Sequence, residues 1–211
     1  RHSPTSLPAE TVGCDALALW CPESGPGPSK YPFESVIGNI RAYIDECITS
    51  GGVPLIFTET PGMTQDIIKS LGDKGYVFSC HRSVKRVSDN LAESGVCLCN
   101  YELFKPERLE GKTVLMPISE IESRITNKIA NKKTAFVTES AEVGGDKTFK
   151  ADTVFKLSTR ASLDELFEFI NNASPETVYL AGPGSQRMSK RLNETGIEVI
   201  TLERPEQMKL I

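Results

Sequence analysis

The fold is decided by the stretch FESVIGNIRAYIDECITSGGVPLIFT, residues 33–58. Its first part places apolar side chains three or four residues apart, a spacing that predicts an amphipathic helix. The apolar residues of this helix are Phe33, Val36, Ile37, Ile40, Tyr43, Ile44, Cys47 and Ile48. Gly51 and Gly52 end the helix, because glycine readily adopts the conformation that closes one. The apolar run 53–58 then predicts a buried strand, so a helix leads directly into a strand.

The same alternation extends from this unit in both directions. Upstream, residues 15–21 predict a strand, and three prolines and two glycines within residues 22–29 predict a loop. Downstream, strands are predicted at 76–80, 96–99, 113–116, 133–138, 154–157, 177–180 and 197–202, and helices at 64–71, 83–92, 119–130, 162–171 and 185–193. Repeated units of this length predict an α/β fold with largely parallel sheets and right-handed crossovers.

The composition is that of an ordinary globular protein. The chain has 211 residues, of which 39% are hydrophobic and 25% are charged, enough to bury a substantial core. No apolar run approaches the roughly 20 residues that span a bilayer, and no signal-like run follows Arg1. The net charge of −4 argues against binding nucleic acid through overall charge but permits a local basic patch. We therefore expect no membrane association.

The six cysteines are scattered through predicted strands and helices: Cys14, Cys21, Cys47, Cys80, Cys97 and Cys99. A chain of this size does not need disulfides to fold, so reduced thiols in a cytoplasmic or nuclear protein fit best. Cys97 and Cys99 are separated by one residue, whereas structural zinc sites use a wider spacing. The cysteines therefore indicate an intracellular protein with buried thiols.

Several short signatures follow one another in a recognisable order. They are DALALWCPESG (15–25), GVPLIF (52–57), GMTQ (62–65), KTAFVT (133–138), ADTVFKLS (151–158) and PETVYL (175–180). In this order they resemble the metallo-β-lactamase-fold nucleases that carry an inserted β-CASP domain. That group includes DNA-ligase-associated exonucleases, DNA crosslink-repair nucleases and nucleases of mRNA 3′-end processing. The resemblance extends over the whole chain and covers the C-terminal half of the family fold.

The resemblance implies an α/β fold in which three regions can be distinguished. Residues 1–29 correspond to a strand and linker of the metallo-β-lactamase part, and residues 30–145 to a β-CASP-like parallel sheet of Rossmann-like βα units. Residues 146–211 correspond to the C-terminal part of the metallo-β-lactamase αββα fold.

The departures from the family pattern concern its metal ligands. The family holds two metal ions, usually zinc, with imidazole and carboxylate groups. Where the family has Asp-His-Ala-Asp, this sequence has Thr159-Arg-Ala-Ser162, so that Arg160 takes the place of the histidine. Where the family has Thr-His-Gly, it has Ala181-Gly-Pro-Gly184. The upstream His-x-His-x-Asp-His motif is not in the sequence. The resemblance thus implies a vacated metal cleft, no catalytic residue and no nucleic-acid hydrolysis by this chain unaided.

One candidate site lies between the predicted strand 177–180 and the helix that follows. Backbone amides of Gly182, Gly184 and Ser185 occupy the place where a strand-to-helix turn can hold a phosphate. Arg160 and Arg187 are expected to lie at the same edge and to complete an anion site. A tight turn with Ser185 as the N-cap is the structural alternative.

A second candidate site is the densest basic cluster, His81-Arg-Ser-Val-Lys-Arg86. On a helix, Arg82, Lys85 and Arg86 share one face, which is suited to contacting phosphates. The alternative is an ordinary solvated helix face. His81 follows a strand, where a locally hydrogen-bonded histidine is the usual arrangement.

Three functions are open at the level of sequence. The first, which we prefer, is a non-catalytic β-CASP-like scaffold or regulatory subunit of a DNA-repair or RNA-processing complex, beside a protein partner such as an active nuclease paralogue. The second is a portion of a zinc-dependent nuclease whose metal ligands lie in a missing N-terminal region or a partner chain. The third is a small-ligand or nucleotide-binding α/β module. The first function needs no cofactor, whereas the second requires zinc.

Overall fold

The computed structural model describes residues 4–5, 9–22, 33–58, 61–139, 151–157 and 161–202. The first elements are β1 (Ala16–Trp20), α1 (Phe33–Thr49), β2 (Val53–Thr58), α2 (Met63–Gly72), β3 (Phe78–Cys80), α3 (Arg82–Glu93) and β4 (Tyr101–Leu103). They are followed by β5 (Thr113–Pro117), α4 (Arg124–Asn127), β6 (Lys132–Thr138), β7 (Thr153–Lys156), α5 (Leu163–Ala173), β8 (Thr177–Ala181), α6 (Ser185–Leu192) and β9 (Glu198–Leu202). The larger of two compact units contains α1 through β7, and the smaller contains β1 and α5 through β9.

Every strand pairing in the described residues is parallel. The predicted α/β class with parallel sheets of Rossmann-like βα units is therefore confirmed. Six strands of the larger unit follow the order β4-β3-β5-β2-β6-β7, and three strands of the smaller unit follow the order β1-β8-β9. Because neighbouring strands run in the same direction, their carboxyl ends lie at one edge of each sheet.

The sheet of the larger unit is covered on both faces, as parallel sheets usually are. On one face, Ile40 of α1, Ile67 of α2 and Phe78 of β3 belong to one buried cluster. On the other face, Phe57 and Phe136 stack with ring centroids 5.9 Å apart within a second cluster. Residues 54–58 of β2 are all buried, which matches its position inside the sheet.

Among the described residues, the sheet of the smaller unit is covered on one face only. Val178 and Leu180 of β8 pack with Ile170 of α5 and Met188 of α6 in a buried cluster. The opposite face carries large apolar side chains in contact with solvent: Trp20 is 59% exposed, Ile200 36% and Leu202 51%. A parallel sheet with one open apolar face is unusual, because such sheets normally bury both faces.

The predicted helix 119–130 is wrong. The structure has a 3₁₀ turn at Ile118–Glu120 and then the four-residue helix α4. Ser123 caps α4 by accepting a hydrogen bond from the Thr126 amide, and the Thr126 hydroxyl donates to the Glu120 carbonyl at 2.6 Å. Such short-range side-chain bonds compete with a continuous helix.

The predicted strand 96–99 is also wrong, because the strand forms at β4, a few residues later. Before it, the chain passes over the end of α2, where the Cys99 carbonyl lies 2.6 Å from the position that a Cβ of Gly72 would take. Asn100 then adopts a φ of 57° and donates from its side chain to the Gly72 carbonyl at 2.8 Å. These contacts hold Cys99 and Asn100 on α2, so pairing with β3 begins at Tyr101.

Candidate nucleic-acid interface

His81 fixes the start of α3. Its Nδ1 accepts a hydrogen bond from the Ser83 amide at 3.3 Å and lies 2.8 Å from the Ser83 hydroxyl. Its Nε2 lies 3.8 Å from a carboxylate oxygen of Glu120. The locally bonded histidine expected from the sequence is therefore what the structure shows, and Arg82 becomes the first helical residue.

Arg82 and Arg86 lie one turn apart on α3 and are both exposed. Four residues of helix separate their Cα atoms by about 6 Å. Within the described residues, neither guanidinium group forms an ion pair. Both arginines therefore keep a positive charge that faces solvent.

Lys85 shares this face, but its charge is offset by Asp89. The Lys85 Nζ lies 2.8 and 2.7 Å from the two carboxylate oxygens of Asp89, one helical turn away. The hydrogen bond from Lys85 holds the pKa of Asp89 below its usual value. Lys85 also lies over the Tyr101 ring at 5.7 Å from the centroid. The sequence predicted that Lys85 lies beside the two arginines, but its ion pair with Asp89 was not predicted.

Two cations that the sequence analysis did not select follow β4. Lys105 and Arg108 are exposed, and the Arg108 amide donates to the Lys105 carbonyl at 3.1 Å, which forms a turn. Because β3 and β4 are parallel neighbours, this turn begins at the same sheet edge as α3. Neither residue was predicted from the sequence, because the strand was predicted at 96–99 and not at β4.

The turn from Gly182 to Ser185 packs against the end of β1. A Cβ on Gly182 would lie 2.5 Å from the Cys21 carbonyl oxygen, and one on Gly184 would lie 2.3 Å from the Pro22 carbonyl oxygen. Gly182 also has a φ of 96°, which favours glycine. Both glycines are therefore required by the close approach of residues 20–22.

The amides of this turn have partners within the chain. The Gly184 amide donates to the Cys21 carbonyl at 3.1 Å, and the Ser185 amide donates to the Gly182 carbonyl at 3.1 Å. Ser185 is the first residue of α6 and Gly184 is its N-cap, so the expected Ser185 cap is corrected. Arg187 lies exposed in the first turn of α6, whereas Arg160 lies outside the described residues. That these groups hold an anion stays a prediction.

A cavity of about 290 Å³ lies near the amino ends of β6 and β7, at the edge of the larger sheet opposite to the start of α3. It is lined by Tyr43, Glu46, Cys47, Lys133, Asp152 and Thr153. The Tyr43 hydroxyl is buried and has no hydrogen-bond partner among the described residues, and burial raises its pKa. The cavity lies just below the roughly 300 to 1,000 Å³ of small-molecule pockets, and its lining includes the charged side chains of Glu46, Lys133 and Asp152. We assign no ligand to it.

The described residues contain neither a metal-binding cluster nor a helix able to span a membrane. Over the ranges that the structure describes, no three His, Cys, Asp or Glu side chains are grouped so as to hold a metal ion. Likewise, no described helix has the length and apolar character to cross a bilayer. All six cysteines are described and none forms a disulfide.

The chain is similar to a curated protein whose name refers to DNA joining. No family model matches the chain. Over 180 residues the chain is 24% identical to a protein of Opitutus terrae named "Probable DNA ligase". The aligned region covers 85% of this chain but 18% of that protein, so the chain spans less than a fifth of the length of the relative.

Proposed function

We propose that the chain is a non-catalytic β-CASP-like scaffold or regulatory module of a DNA-processing protein or complex. The observation that carries this proposal is the similarity to the probable DNA ligase along 85% of the chain. A module that recurs within a protein named a probable DNA ligase is suited to positioning that protein, a partner protein or DNA. The proposed role places the protein inside the cell, in agreement with the reduced thiols expected from the sequence.

The geometry of the Gly182 turn supports the non-catalytic part of the proposal. The family resemblance places a metal-binding histidine at this position. Here a Cβ would lie 2.5 Å from the Cys21 carbonyl oxygen and 2.9 Å from the Trp20 ring, closer than atoms of folded proteins pack. No side chain fits at position 182 unless residues 20–22 move.

The test is metal analysis and a nuclease assay on the purified chain. We expect less than stoichiometric metal after dialysis against zinc, and no cleavage of single-stranded or duplex DNA in zinc or manganese, because metal-activated water is the nucleophile of such enzymes. Stoichiometric zinc together with cleavage that a chelator abolishes would contradict the proposal. RNA of the same sequence is assayed as a second substrate, because cleavage of RNA alone would also contradict the proposal.

The open face of the smaller sheet favours a second candidate function. Trp20, Ile200 and Leu202 present an apolar surface that a second structural layer would cover. If other residues of a longer protein or a partner chain supplied that layer together with the metal ligands, the chain would be part of a zinc-dependent nuclease. The same metal analysis and nuclease assay, applied to the longer protein, test this candidate. It requires that the longer protein both binds stoichiometric zinc and cleaves nucleic acid.

The small-ligand alternative has no comparable support. At the turn where a nucleotide phosphate was expected, the amides of Gly184 and Ser185 already donate to backbone carbonyls. An anion would have to displace these bonds to use them. Nucleotide binding at this turn stays a prediction of the sequence.

A further inference from the structure

Four exposed cations follow two adjacent strands at one edge of the larger sheet. Cys80 at the end of β3 is in register with Leu103 at the end of β4, and the Phe104 amide donates to the Cys80 carbonyl at 2.8 Å. Arg82 comes two residues after Cys80, and Lys105 comes two residues after Leu103. The backbone register therefore brings the two cations to the same edge.

Two further cations extend this arrangement. Arg86 lies one turn along α3 from Arg82, on the side of the sheet edge where Val84 joins one buried cluster, and Arg108 closes the turn that begins at Lys105, on the side where Leu109 joins the other cluster. We name the four residues Arg82, Arg86, Lys105 and Arg108 the basic strip. All four are exposed, and none forms an ion pair within the described residues.

The carboxylates around the basic strip are largely engaged elsewhere. Asp89 is bound to Lys85, Glu102 lies 2.6 Å from Lys112, and Glu120 lies 3.8 Å from His81. Glu107, within the Lys105 turn, and Glu110, two residues after Arg108, are exposed carboxylates that offset part of the charge. The strip thus has an excess of positive charge on a chain whose net charge is −4. The positive end of the α3 dipole adds to the potential at Arg82.

We infer that the basic strip contacts phosphate groups of duplex DNA without reading its sequence. This inference rests on the proposed function for the choice of DNA as the partner. Arginine and lysine side chains that lack protein partners bind phosphates by charge-assisted hydrogen bonds. Such contacts position a protein on the duplex and carry no base information. The strip would hold the DNA against the carboxyl edge of β3 and β4.

The test is the affinity of the whole chain for a fluorescently labelled duplex of about 20 base pairs, measured by anisotropy at roughly 50, 100 and 200 mM salt. Arg82→Gln combined with Lys105→Gln is expected to weaken binding about tenfold at the middle salt concentration. The slope of log affinity against log salt should become shallower by about two, because each phosphate contact contributes about one. If neither the affinity nor the salt slope changed, the inference would be refuted.

The matched control is Lys74→Gln combined with Lys128→Gln. These two exposed lysines precede β3 and β6 and thus lie at the opposite edge of the same sheet. The control removes the same charge, and its affinity should equal that of the parent chain. If both double variants weakened binding equally, the DNA would be attracted by overall charge and the basic strip would be refuted. If the chain bound duplex RNA more tightly than duplex DNA, the choice of DNA as the partner would be wrong.

Asp89→Asn is expected to strengthen DNA binding, an effect that misfolding of the variant cannot produce. It removes a carboxylate from the strip face and releases Lys85 to bind phosphate, so that affinity should rise about threefold at roughly 100 mM salt. Unchanged or weaker binding would count against the strip. If the parent chain bound no DNA, the strip would be refuted, whereas the non-catalytic proposal would still be judged by metal content and cleavage.

Discussion

Replacing Gly184 by alanine is expected to lower the free energy of unfolding of the smaller unit by about 3 kcal/mol, the cost of forcing extra atoms into a packed site. Its φ of −86° suits any residue, so the cost is steric. The added Cβ would lie 2.3 Å from the Pro22 carbonyl oxygen. Moving this segment away would break the bonds of Cys21 to Ala181 at 2.7 Å and to Gly184 at 3.1 Å.

The matched control for this variant is Gly196→Ala. Gly196 has a φ of 80° and no atom within 4 Å of its Cβ position, so alanine there costs about 1 kcal/mol through backbone strain alone. The fluorescence of Trp20, the single tryptophan, follows denaturation of the smaller unit because its ring borders Gly182. Equal destabilisation by the two alanines would show that the turn relaxes around the new methyl group.

Phe136→Ala is expected to destabilise the larger unit by about 4 kcal/mol, as truncation of a buried phenylalanine typically does. Phe136 is 1% exposed, stacks on Phe57 and belongs to β6, which lies inside the sheet. Alanine leaves a cavity that the surrounding strands fill only partly. Urea denaturation followed by circular dichroism measures the loss.

Val154→Ala is the control for Phe136→Ala, because Val154 lies beside Phe136 on the neighbouring strand. Val154 is the register partner of Phe136 on the edge strand β7 and is 50% exposed. Its truncation is expected to cost about 0.5 kcal/mol or less, the usual range for surface substitutions. A cost for Phe136→Ala similar to that for Val154→Ala would contradict the described packing of β6.

Elements with long apolar periodicity were predictable from the sequence, whereas those set by side-chain capping were not. The helix of residues 33–48 and the strand 53–58 carry their own pattern and form α1 and β2. The region 119–130 has helical spacing, yet the Thr126 hydroxyl bond to Glu120 divides it. The strand at 96–99 failed for a tertiary reason, because Cys99 contacts Gly72.

The candidate interface was predictable to the same partial extent. Arg82 and Arg86 were found because a local cluster of cations is visible in one short stretch. Lys105 and Arg108 come from a separate loop, and only the pairing of β3 with β4 brings that loop to the same edge. The Gly182 turn was recognised as glycine-rich, but the contacts that require its glycines come from residues 20–22, far away in sequence.

The pairing of β1 with β8 also has a consequence for synthesis on the ribosome. Ala16 pairs with Thr177, so the larger unit is translated between the two strands. Translation proceeds at roughly 5 to 20 residues per second, so β8 is synthesised on the order of 10 to 30 s after β1. During that interval the strand ALALW is unpaired, and closing such a long loop is slow. We therefore expect the smaller unit to complete its fold last and to be the part that chaperones protect.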